Sequence, residues 1–216
     1  MNRAALLPRR RFGTLIGAGA VSLAGPPFAR AVFPPGSDIR GSLPALAFNM
    51  IRCSDGRRVT AGDYRGKVVV TYFGFTRCPD VCPLTMHNMA VILQRMGPLA
   101  KEMRVLFITI DLTYDTLPRL KHYLANFGPP PEIDGLRGTP EALAALSKRY
   151  YFEYKAPSSP NSPDPVSKIT HSSWVYVFGP HGQAKELLAN IAAADLDFAA
   201  MAEGFDRLAK EAARGS

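Results

Sequence analysis

The chain has 216 residues, 47% of them apolar and 20% charged, with a formal net charge of +8. That is ordinary globular composition, and it excludes a collagen-like, coiled-coil or disordered chain. Five of the arginines (Arg3, Arg9, Arg10, Arg11 and Arg30) lie in the first 31 residues, which hold no acid. The rest carries 21 basic and 18 acidic residues without a basic run, so a nucleic-acid partner is not expected.

Residues 1–31 read as an export signal. Arg9-Arg10-Arg11-Phe12 gives a basic start of twin-arginine type, Phe12 to Ala24 is apolar and rich in small residues, and Ala29-Arg30-Ala31 offers a cleavage site. The apolar stretch is short for spanning a hydrocarbon core of ~30 Å. The expected location is therefore the periplasm, with membrane attachment only through a partner or an uncleaved signal. Residues 32–44, with Pro34, Pro35, Gly36 and Pro44, are expected to form an irregular lead-in to one domain over 45–216.

Within that domain, Ala45 to Ile51 and Arg57 to Thr60 flank Ser54-Asp55-Gly56, a hairpin signal. Lys67 to Phe73 (KVVVTYF) and Arg104 to Ile110 (RVLFITI) are β-branched and aromatic, as buried central strands are. Between them Met86, Met89, Ala90 and Leu93 recur at helical spacing until Gly97-Pro98. Asp115 or Thr116 caps a helix expected to run to about Phe127. Thr139-Pro140 opens another with Leu143, Leu146 and Tyr150 on one face. A proline-rich loop covers residues 154–170, long enough to suggest a task. Trp174 to Phe178 and Ala184 to Leu188 read as strands joined by a turn at 179–182, and Asp195 to about Arg214 as a closing amphipathic helix. Strands alternating with helices give an α/β layered domain with helices flanking a central sheet.

Three cysteines are too few for a disulfide scaffold, and Cys78 and Cys82 form one close pair. The pair lies where a central strand gives way to a helix, and a helix N-terminus favours a thiolate. Arg77 is expected to push the same way, so both thiols are expected to be acidic. Such a pair closes a disulfide or grips a soft metal. Pro79 and Pro83 stiffen the loop. Two thiolates with an imidazole suit Cu(I), while two cysteines, a histidine and water also make an open zinc site.

Of the four histidines, His171 stands where the long loop meets a strand. In a thioredoxin-like layout that junction lies beside the cysteine loop, which makes His171 the candidate third ligand. His87 is an alternative one helical turn past Cys82. His122 and His181 read as surface residues, Met86 as core packing and Cys53 as a passive thiol.

Phe75-Thr76-Arg77-Cys78-Pro79-Asp80-Val81-Cys82-Pro83, Ile110-Asp111 with Asp115-Thr116, and His171-Ser172 resemble the Sco/SenC family of copper-delivery proteins, over about Leu43 to Ala209. The resemblance implies a thioredoxin-like fold with a central mixed sheet, and Cys78, Cys82 and His171 as ligands of one copper ion, Cu(I) or Cu(II). It further implies delivery of copper to, or reduction of the cysteines of, the binuclear copper centre of cytochrome c oxidase subunit II, by a monomer. Family members often carry Asp-His where this chain has Thr170-His171, and Asp-Pro where it has Asp111-Leu112. The competing reading is a periplasmic thiol–disulfide oxidoreductase or thiol peroxidase, with Cys78 as nucleophile and Cys82 as resolving thiol.

Overall fold

A computed structural model describes residues 36–129, 131–156 and 169–214. The leader expected at residues 1–31 lies outside the described residues. In chain order the strands and helices are β1 (Ser37–Asp38), β2 (Asn49–Arg52), β3 (Arg58–Thr60), β4 (Val68–Gly74), α1 (Val81–Met96), β5 (Met103–Thr109), α2 (Leu117–Leu124), β6 (Ile133–Arg137), α3 (Pro140–Tyr150), β7 (Tyr154–Lys155), β8 (Thr170–His171), β9 (Val175–Phe178), β10 (Ala184–Leu188) and α4 (Phe198–Arg214). None of these helices is long and apolar enough to cross a membrane.

Eight strands form one mixed sheet in the order β1-β10-β9-β4-β5-β6-β2-β3. The β-branched run of β4 is buried along its whole length because it is central, with β5 parallel on one side and β9 antiparallel on the other. Adjacent residues of β4 face opposite ways. On one face Tyr72 meets Phe107 of β5 edge-on, and Phe107 meets Tyr123 of α2. On the other Phe73 stacks on Phe152, with ring centroids 3.7 Å apart and planes 17° off parallel. Tyr150, at the end of α3, packs on Tyr176 and Phe178 of β9. Helices therefore cover both faces, and the fold is thioredoxin-like α/β.

The caps at Thr116 and Thr139 are as expected: each side chain accepts a backbone N–H of the first turn, and proline follows in that turn. Several elements depart from expectation. The lead-in is not wholly irregular, since β1 pairs with the outer strand β10. Helix α2 ends at Leu124, short of Phe127. Strand β6 had no sequence signal; it pairs with β5, and α2 sits so closely on it that a Cβ at Gly135 would fall 2.6 Å from Leu120 Cγ. Finally, the long loop is closed at its base: β7 and β8 pair antiparallel, with Tyr154 opposite His171.

Candidate metal centre

The site forms at the C-terminal end of β4. Cys78 lies in the loop after that strand, its N–H bonded to the Phe75 carbonyl at 3.2 Å. Cys82 lies in the first turn of α1 and is 0% exposed. His171 arrives from the opposite direction. Antiparallel pairing sets Val175, at the start of β9, beside Tyr72 of β4, so the segment preceding β9 runs past the end of β4. The β7–β8 pair then fixes His171, helped by the Ser172 N–H to the Glu153 carbonyl at 3.0 Å. His171 thus does not open the strand that follows; it belongs to its own short strand, and Trp174 is outside β9 and 40% exposed.

Cys78 Sγ, Cys82 Sγ and a ring nitrogen of His171 all lie within 4.8 Å of one another. Cys82 Sγ is 3.3 Å from His171 Nε2. On the far side of the ring, Nδ1 is 3.0 Å from the Ser172 carbonyl. A carbonyl only accepts, so Nδ1 carries a proton and Nε2 is the nitrogen free to offer a lone pair. Tyr72 and Phe75 meet the imidazole edge-on, each with centroids 5.8 Å away, and fix its plane.

The two sulfurs are unequal. Cys78 is held down at about 4, first because the Cys82 thiol donates to it, then by the backbone N–H groups at the helix start. Cys82 is instead pushed up, because its proton serves Cys78 and because it is buried. The expectation of two acidic thiols is corrected: one thiolate and one thiol share a proton. Nor does Arg77 act on the sulfur. Its guanidinium lies over the Tyr114 ring and pairs with the fully buried Asp111 at 2.6 Å.

That ion pair is one of the ties holding the loop. Buried Asp115 accepts the Thr76 N–H at 3.0 Å and the Thr109 hydroxyl at 2.6 Å, joining the loop to the end of β5. Arg137 of β6 donates to the Leu112 and Asp115 carbonyls. Asp111 and Asp115 were prominent in the sequence, but nothing there pointed to Arg137 or to Tyr72.

The rival residues stand elsewhere. His87, His122 and His181 are exposed, and Met86 is in the core. Cys53 is buried at the end of the β2–β3 hairpin, donates to Asp134 at 3.2 Å and is pushed up to about 12 by burial and that carboxylate. Among the described residues, Cys78, Cys82 and His171 are the metal-competent cluster.

Comparison with known proteins agrees with this geometry. The SCO1/SenC family profile matches residues 45–206. "Protein SCO2 homolog, mitochondrial" of Bos taurus is 33% identical over 129 residues, 59% of this chain and 47% of its own. The chain spans about half the length of the curated relatives it matches. Among solved structures, copper-bound yeast Sco1 is 28% identical with a TM-score of 0.64, over 77% of this chain and 90% of that one. Copper-bound ScoI of Bradyrhizobium japonicum is 26% identical with a TM-score of 0.61, over 79% and 98%. By the match over residues 45–206 and by the fold, this chain belongs to the SCO1/SenC family.

Proposed function

We propose that this chain is a copper metallochaperone. Cys78 Sγ, Cys82 Sγ and His171 Nε2 hold one copper ion, which the protein passes on during cytochrome c oxidase assembly. The acceptor is the binuclear copper centre of subunit II, whose cysteines this chain either loads or reduces. It works in the periplasm after export through residues 1–31.

The carrying observation is the convergence of two sulfurs and an imidazole nitrogen within 4.8 Å, from a loop, a helix start and a distant strand. Soft sulfur donors select copper over hard cations, and copper is what the related yeast and Bradyrhizobium structures hold. Cys78 is already a thiolate, and Nε2 already presents its lone pair. Only Cys82 must give up a proton to bind. Three ligands leave one coordination position for an incoming thiolate. Because Cys82 is wholly buried while Cys78 and His171 are partly exposed, exchange starts at Cys78 or His171.

One observation favours thiol exchange as a second activity of the same site: an acidic, accessible Cys78 beside a protonated, buried Cys82. Cys78 would attack an acceptor disulfide and Cys82 would resolve the mixed disulfide. The acceptor then gains two electrons and two protons, one from Cys82 and one from solvent, to become two thiols, while Cys78 and Cys82 become a disulfide.

Titration of the reduced protein with Cu(I) and Cu(II), native against His171→Ala, separates the two. The substitution is expected to cost more than about 100-fold in copper affinity and to leave disulfide formation between Cys78 and Cys82 intact. Unchanged copper affinity would refute the chaperone reading.

A further inference from the structure

Tyr72 sits beneath the site with 0% exposure. Around it Phe75 and Phe107 are both phenylalanine and both buried, so packing alone does not call for a hydroxyl here. A buried hydroxyl is costly unless it is bonded. This one is bonded to a ligand sulfur: Tyr72 Oη lies 3.5 Å from Cys82 Sγ, within the range of hydrogen bonds to sulfur. The buried Thr85 hydroxyl is its other hydrogen-bonding neighbour, and the ring of Tyr72 meets the His171 imidazole at 77°. Tyr72 therefore touches two of the three proposed ligands.

We propose that Tyr72 is a positioning residue of the metal centre: its hydroxyl donates to Cys82 Sγ and thereby sets how strongly that sulfur binds Cu(II) relative to Cu(I). The inference rests on the copper reading above. A thiolate that accepts a hydrogen bond gives less electron density to the metal, and Cu(II) needs that density more than Cu(I) does. The donor therefore favours Cu(I), while the ring edge keeps Nε2 aimed at the same ion.

Tyr72→Phe removes one oxygen and keeps the packing. Its copper stoichiometry is expected to stay native. The thiolate-to-copper charge-transfer band of the Cu(II) form moves to lower energy. The ratio of Cu(I) to Cu(II) affinity falls about tenfold, or ~59 mV for a one-electron couple. Phe73→Leu, on the opposite face of β4, lowers thermal stability without moving the band. A band and ratio unchanged in folded Tyr72→Phe overturn the proposal. Native protein labelled with 3-fluorotyrosine, a stronger donor, shifts the band to higher energy, and no shift there also overturns it, whether or not Tyr72→Phe folds. If the native protein binds no copper, it is the chaperone reading that fails. The donor is then judged metal-free, against oxidised glutathione, which takes two electrons from the Cys78–Cys82 pair, with one proton from Cys82 and the other from solvent. A phenol that stabilises the reduced sulfur makes the Tyr72→Phe dithiol about fivefold easier to oxidise, and an unchanged equilibrium refutes it.

Discussion

The unequal cysteines make a prediction about pH that a rate at one pH would miss. An ordinary thiol with a pKa of ~8.5 is about 0.3% thiolate at pH 6 and about 24% at pH 8, so its alkylation rate rises roughly 75-fold between them. Cys78, held at about 4, is already fully ionised across that range, and its rate is expected to be flat, falling only as the medium is acidified toward 4. Its absolute rate at pH 7 is not diagnostic. Lowering a thiol pKa by some 4–5 units raises the thiolate fraction, but it cuts intrinsic nucleophilicity by about two orders of magnitude, and the two effects nearly cancel. The assay is iodoacetamide labelling of the reduced, metal-free protein, with the modified cysteine identified by mass spectrometry. The first cause of the shift is the proton donated by Cys82. Cys82→Ala should therefore restore a steep profile, and Cys82→Ser, which keeps a donor, should leave it nearly flat. A native Cys78 whose rate climbs by roughly 75-fold between pH 6 and 8, as an ordinary thiol's does, would refute the shared-proton description.

Two further substitutions test the support of the site. Arg77→Ala leaves the carboxylate of Asp111, wholly buried, with only the Thr113 hydroxyl and the Tyr114 N–H as donors. Because Arg77 is itself partly exposed, a cost of about 2 kcal/mol is expected, read as a melting temperature lower by roughly 4–8 °C; a drop under about 2 °C would show that the pair does not hold the loop. Gly74→Ala would set a methyl group 2.9 Å from Phe107 Cε2 and 3.0 Å from Cys82 Sγ. Something must move, so a loss of about 1–3 kcal/mol is expected together with weaker copper binding. Native affinity in that variant would show that the Cys82 sulfur is not seated against the strand.

How much of this was legible in the sequence varies by element. The strands β4 and β5 announced themselves as unbroken β-branched and aromatic runs, because a strand buried on both faces has no polar alternation to hide it. Strand β6 (IDGLR) did not, since Asp134 and Gly135 break its apolar pattern. Gly135 is there because α2 leaves no room for a side chain, and Asp134 because it accepts hydrogen bonds from the Cys53 thiol and the Ser54 hydroxyl. Those are tertiary reasons, invisible to a local reading. The pairs β7 and β8 are two residues each, too short for any periodicity, yet they are what fixes His171.

The inequality of the two sulfurs was hidden for a different reason. A helix N-terminus favours a thiolate on either cysteine, so spacing from the helix start treats Cys78 and Cys82 alike. What separates them is the direction each faces. Cys82 points inward against Gly74 and Tyr72, where an ionised sulfur would be poorly solvated, and Cys78 stays partly in solvent. The proton therefore stays on the buried sulfur and leaves the accessible one charged. The order of strands puts both within reach of His171. With β9 antiparallel beside β4, the chain entering β9 must pass the end of β4 from which the cysteine loop departs. An ion captured there would meet the charged sulfur and the open nitrogen at the surface first, and the buried thiol would give up its proton last.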